Sequence, residues 1–255
     1  MTIIHKEYRI VMPITTQKYN ICQLYTVAAL SKSESTGDTS IKIVENKDYD
    51  HEVLGHCRKT HKILNLNSKV PYIIRKCMPS NDALKLVETA YNAYPKCSTT
   101  YTNKYFNENT FKMTVNSVHV DGVDFQDNIN EMPANIWKNT KVDYIDIAVD
   151  GEYEVKPSDY ISQKAKIGPL HKGWIEDFKK QNIPLMTCYK QVSIEINCFG
   201  LGWLVNEVEK QLRKIFATSH QQMFCQMDDW YDLTIEDIRK IEEETKKLLD
   251  NIKEA

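Results

Sequence analysis

The stretch "SNDALKLVETAYNAYPKC" (80–97) decides how the middle of this chain is read. At helical period Leu84, Val87, Tyr91 and Tyr94 form one apolar stripe, with Ser80 or Asn81 to cap the start and Pro95 to stop the helix. Glu88 and Asn92, four residues apart, then share a face that borders this stripe. Taken alone, the pattern favours a solvated edge for that acid and amide.

Working outward, the first half is rich in strand signals. "IIHKEYRIVM" (3–12), "TSIKIVENK" (39–47), "KTHKILNL" (59–66), "STTYTNKYF" (98–106) and "FKMTVNSVHV" (111–120) carry β-branched residues and partial alternation. "KVDYIDIAVD" (141–150) and "LMTCYKQVSIEINCF" (185–199) extend the set, while "TTQKYNICQLYTVAALSKSE" (15–34) reads as a helix opened by a threonine cap. Residues 151–183 read as a loop-rich connection with a short helix near "WIEDFKKQ". Beyond Trp203, the spacing of Val205, Val208, Leu212, Ile215 and Phe216 predicts an amphipathic helix to about Met227. A last helix follows Thr234, with Asp237 near a capping-box position and a seam of Ile238, Ile241, Leu248 and Ile252 interrupted by Thr245. The run Glu242–Glu244 reads as a solvated face. The fold class is therefore α+β, with mostly antiparallel strands and a few long helices.

Composition narrows the function. The 255 residues carry a net charge of −2, without the basic excess of a nucleic-acid binder. Mean hydropathy is −0.50, and no apolar run approaches a membrane span. The N-terminus is interrupted by Lys6, Glu7 and Arg9, so no signal peptide is expected. Seven scattered cysteines without a C-x-x-C pair suit a reduced, cytoplasmic setting. Phosphate-loop, dinucleotide, hydrolase-elbow and zinc-helix motifs are absent, so nothing points to an enzyme. "HCRKTH" (56–61) lacks a second ligand pair at zinc spacing, and no metal or cofactor is expected.

Several segments together resemble the class I phosphatidylinositol transfer proteins of the START-like, helix-grip group. They are "KEYRIVMP" (6–13), "CQLYTVA" (22–28), "THKI" (60–63), "SKVP" (68–71), "NAYPKC" (92–97), "VDYIDIA" (142–148), "GPLHKGW" (168–174), "CYKQV" (188–192) and "MFCQMDDWYDLTIEDIRKIEEETKKLLD" (223–250). The resemblance implies a single domain over 1–255. A concave, mostly antiparallel sheet is closed by long helices around one phospholipid, held headgroup inward. It also implies a monomeric cytoplasmic carrier of phosphatidylinositol or phosphatidylcholine, transiently at membrane surfaces and not an enzyme. The other reading is a lipid sensor or presenter with little net transfer.

In the family the inositol ring is met by a threonine and a lysine of the "T-H-K" strand and by a glutamate and an asparagine of the segment read here as a helix. Those positions are Thr60, Lys62, Glu88 and Asn92. The family's phosphate residues fall at Gln23, Thr99, Ser117 and Lys190. Ser117 stands where a threonine is usual, in a segment one residue longer. The paired tryptophans of the family's membrane-facing tip are Cys198 and Phe199 here, with Trp203 close by in sequence. The family's regulatory serine falls at Ser162, in different surroundings. The resemblance leaves open how the cavity closes after "LLDNIKEA".

Overall fold

The computed structural model describes residues 2–33, 35, 40–66, 72–78, 80–103, 105–106, 110–197 and 200–251. Eight strands form one sheet: β1 (Thr2–Met12), β2 (Ser40–His51), β3 (Gly55–Asn65), β4 (Lys85–Ala93), β5 (Lys96–Asn103), β6 (Phe111–Asp121), β7 (Lys141–Ile145) and β8 (Met186–Ile196). The helices are α1 (Thr16–Ser33), α2 (Tyr72–Cys77), α3 (Ala134–Trp137), α4 (Trp174–Lys180), α5 (Leu204–Cys225), α6 (Met227–Trp230) and α7 (Ile235–Asn251). The sheet runs β2-β3-β4-β5-β6-β8-β1-β7, antiparallel throughout except for the parallel pair of β1 and β7.

The opening stretch is not a helix. A short 3-10 turn at Asn81–Leu84 leads into β4, and Tyr94–Pro95 make the turn into β5. The stripe at spacing three and four is also compatible with period two, because Val87, Thr89 and Tyr91 alternate with Leu86, Glu88 and Ala90. What decides is pairing on both flanks: Lys62 lies opposite Glu88 on one side and Tyr101 on the other. Glu88 and Asn92 still share a face, but as strand positions four apart. Pro95, read as a helix stop, is a turn residue.

Other boundaries also move. β7 stops at Ile145 rather than 150, because Asp146 and Asp150 close a turn: the Asp146 amide donates to Asp150 Oδ2 (2.8 Å) and the Ala148 amide to Asp146 Oδ1 (2.9 Å). The long helix ends at Cys225, and α6 resumes after Gln226. On α7, Thr245 belongs to the buried seam with Ile238 and Leu249, whereas Leu248 is exposed. Ile252 and the "SKVP" segment lie outside the described residues. Of the three predicted caps, the one at Ser80 or Asn81 opens no α-helix and the other two form: the Lys18 amide donates to Thr15 Oγ1 (3.3 Å), and Thr234 and Asp237 exchange reciprocal bonds at 3.1 and 3.2 Å.

The packed core is eccentric. Tyr8, Ile10, Met12, Ile147, Trp174, Met186, Phe224 and Trp230 are all buried, so it gathers around β1 and β8, α5, α6 and the connection after β7. β4, in contrast, has no fully buried residue. Its outer face carries Tyr91 against Tyr49 and His51, and its inner face is left for something other than ordinary packing.

Candidate functional site

Strand register arranges the inner face of the sheet in ranks, since residues opposite one another across a ladder point the same way. One rank reads Arg58, Asn92, Cys97, Ser117, Lys190, Tyr8 across six strands. The next reads Thr60, Ala90, Thr99, Val115, Val192, and the third Lys62, Glu88, Tyr101, Met113, Ile194. Seven of the eight sequence-predicted headgroup residues therefore lie on one face within three ranks, about 13 Å at the usual rise of a strand. The eighth, Gln23, stands on α1, where its amide donates to Asn20 Oδ1 at 3.3 Å, and it acts on the Cys97 thiol of the first rank.

Direct contacts divide these residues into groups. Lys62 Nζ stands 3.4 Å from Glu88 Oε1, both side chains largely buried. Tyr101 lies opposite Glu88 on β5, and burial first, then this carboxylate, hold its phenol well above its ordinary value. The Cys97 thiol donates to Asn92 Oδ1 (3.0 Å). Burial pushes the thiol up to about 12, while Lys190 and the Gln23 amide act in the opposite sense. Lys190 Nζ lies over the Phe216 ring of α5 at 5.1 Å. Thr60, Thr99 and Ser117 share the face through register alone.

Beside the third rank lies a cavity of about 670 Å³. Lys62 and Glu88 stand on its wall; the rest is mostly apolar, with Leu64, Leu86, Phe111 and Ile196 from the sheet and Leu204 and Leu212 from α5. The other six predicted residues are not on this wall: five lie beyond it along the same face, and Gln23 is on α1. The inner face is thus graded: polar ranks toward the β4–β5 turn and an apolar cavity toward the opposite end of the strands. The volume falls within the roughly 300–1,000 Å³ of small-molecule pockets.

Two helices are fastened around this space. Glu209 of α5 accepts from Tyr8 (2.5 Å) and pairs with Lys6 (2.7 Å) on β1. Glu242 of α7 accepts from Asn46 of β2 (3.1 Å) and Arg239 (2.8 Å), so this member of the acidic run is not a solvated face. Ser162 is fully buried, and its hydroxyl donates to Asp228 Oδ1 at 2.6 Å.

Sequence reasoning missed Cys97 and Tyr101, which touch the predicted residues directly. Strand register across the β4–β5 hairpin is the signal that exposes them, and a helical reading of 80–97 concealed it. Trp203 is 43% exposed just before α5; Cys198 and Phe199 lie outside the described residues. Among the described residues no cluster of His, Cys, Asp or Glu could hold a metal ion, and no helix is long and apolar enough to cross a membrane.

A family model described as phosphatidylinositol transfer protein matches residues 3–247. The chain belongs to the phosphatidylinositol transfer protein family. That family is one of lipid carriers, not enzymes. The chain is 36% identical over 262 residues to the phosphatidylinositol transfer protein beta isoform of Mus musculus, covering 98% of this chain and 95% of the relative. It is 39% identical over 247 residues to phosphatidylinositol transfer protein 2 of Dictyostelium discoideum, covering 94% and 93%. The protein retinal degeneration B of Drosophila melanogaster is 34% identical over 263 residues, and only 21% of its length is covered. The transfer-protein family thus accounts for nearly the whole chain.

Proposed function

We propose that residues 1–255 act as one monomeric lipid-binding domain of the START-like, helix-grip kind. It holds a single phosphatidylinositol or phosphatidylcholine and exchanges it between membranes from the cytoplasm. The observation that carries this reading is the graded inner face: a buried Lys62–Glu88 pair at the border between polar ranks and an apolar cavity. A phospholipid has the same polarity sequence along its length. Two acyl chains carry roughly 30 methylenes at about 0.8 kcal/mol each, so a carrier must enclose them.

In this reading Thr60, Lys62, Glu88 and Asn92 meet the inositol ring. Its hydroxyls both donate and accept, which suits a carboxylate, an ammonium and an amide. Gln23, Thr99, Ser117 and Lys190 meet the phosphate common to both lipids. Choline offers no hydroxyl to Glu88, so water stands in its place. Trp203, with Cys198 and Phe199, is the proposed membrane contact, an aromatic being suited to the headgroup region. The bound phospholipid is the ligand, and no other cofactor takes part.

The test is transfer between vesicles. Glu88→Ala is expected to abolish inositol-lipid transfer while leaving choline-lipid transfer near wild type. Lys190→Ala is expected to weaken both. Unchanged inositol-lipid transfer by Glu88→Ala would remove the headgroup assignment. Tight lipid occupancy with negligible transfer would favour a sensor or presenter instead.

A further inference from the structure

His119 is 3% exposed and was assigned no part in the headgroup site. It lies two residues beyond Ser117 on β6, on the same face, opposite Cys188. Its Nδ1 is 2.9 Å from the Pro95 carbonyl oxygen. A carbonyl can only accept, so Nδ1 carries the proton and Nε2 presents a lone pair. That Nε2 is buried and has no hydrogen-bond partner.

The neighbours do not supply the missing donor. Tyr19 and Tyr94 flank the imidazole, with ring centroids at 4.7 and 5.2 Å. The Tyr94 hydroxyl donates to the Thr16 carbonyl. The Tyr19 hydroxyl is 2.9 Å from His220 Nε2, and His220 Nδ1 is in turn 2.7 Å from the Phe216 carbonyl oxygen. By the same logic, Tyr19 is the donor in that bond. Lys190 acts electrostatically on both histidines, yet its ammonium meets only the Phe216 ring among the described residues. The same inner face therefore carries, on the adjacent strands β6 and β8, a lone pair without a donor and a cation without an acceptor among the described residues.

We propose that His119 is a further lipid-binding residue, its Nε2 accepting an O–H held beside the lipid phosphate while Lys190 meets an anionic phosphate oxygen. This rests on the phospholipid reading above. Two sources can supply the O–H: a hydroxyl of an inositol ring, or a water carried by the phosphate.

The test uses intact protein loaded with phosphatidylinositol or with phosphatidylcholine. ¹⁵N NMR of labelled histidine reads Nε2 of His119 directly, and its resonance is expected to move upfield on loading as the lone pair accepts. Vesicle transfer by His119→Phe, which keeps the ring stacking but removes the lone pair, should fall roughly five- to tenfold, the loss of about one hydrogen bond. His119→Gln, which restores an acceptor, should recover most of it. Loss confined to the inositol lipid identifies the ring hydroxyl; loss for both lipids identifies water on the phosphate. An unmoved Nε2 resonance, or equal loss in the Phe and Gln variants, overturns the proposal. Glu88→Ala serves as the reference: if it discriminates the two lipids while His119→Phe transfers both normally, only the role of His119 fails.

Discussion

Glu88 holds the most informative position in the molecule, because its neighbours can be traced without reference to a ligand. It pairs with Lys62 and lies opposite Tyr101 where water has little access. Removing one member of a buried pair leaves the other charge uncompensated, at a cost of about 3–5 kcal/mol. Lys62→Ala and Glu88→Ala should each lower the unfolding free energy by an amount of that order, and the joint replacement Lys62→Met with Glu88→Gln should recover most of it. Urea unfolding of the three variants measures this; additive losses in the joint variant would show that the two side chains do not act as a pair. Spacing made Glu88 and Asn92 a pair sharing a face from the start. Their helix was wrong because stripe spacings of three and four fit period two nearly as well, and only pairing with β3 and β5 separates the two. Cys97 and Tyr101 became visible only once that pairing was known.

Among the elements, the termini of helices were the most legible, since a cap is a local event. Thr15 and Thr234 both cap where the sequence places them. Thr234→Ala should lower stability by about 1 kcal/mol, whereas Thr234→Ser should be near neutral. Thermal unfolding distinguishes the two. The seam of α7 was less legible: Thr245 looked like a break, but it is buried on the side facing the rest of the molecule. A threonine hydroxyl can be accommodated there, which an apolar periodicity does not anticipate. Glu242 was misread for a similar reason, as its partner Asn46 lies 196 positions away in the sequence. That contact joins α7 to the outermost strand, β2, and Glu242→Ala should loosen the helix. Hydrogen exchange along 235–251 should then accelerate while α5, held by Glu209, stays protected.

At the scale of the whole molecule, the division into a packed half and a hollow half follows from where the large side chains go. Trp174, Trp230, Phe224 and Tyr8 fill the β1–β8 side, leaving the inner faces of β3, β4 and β5 to polar groups and a cavity. Strand alternation predicted the sheet and the class, but not which half would be hollow. That depends on long-range register, which alternation along a single strand does not contain. The buried histidines give this architecture a pH signature. Burial first, then Lys190, hold His119 and His220 down to about 3, below the ordinary value of 6.5. Between these values the unfolded chain binds more protons than the folded one, so stability is full above pH 6.5 and declines as pH falls toward 3. Glu7, raised by burial, opposes this as a single group. The melting temperature should drop between pH 6.5 and 4.5, and less steeply in His119→Phe; a flat profile would contradict neutral buried imidazoles.

The central claim is that this fold encloses one phospholipid with its headgroup against the Lys62–Glu88 border. Native mass spectrometry of the purified protein, followed by extraction and identification of the released lipid, tests it most directly. The account predicts one phospholipid per chain, with inositol or choline headgroups, and loss of the inositol species alone in Glu88→Ala. Protein that carries no phospholipid, or a Glu88→Ala variant with an unaltered headgroup profile, would contradict it.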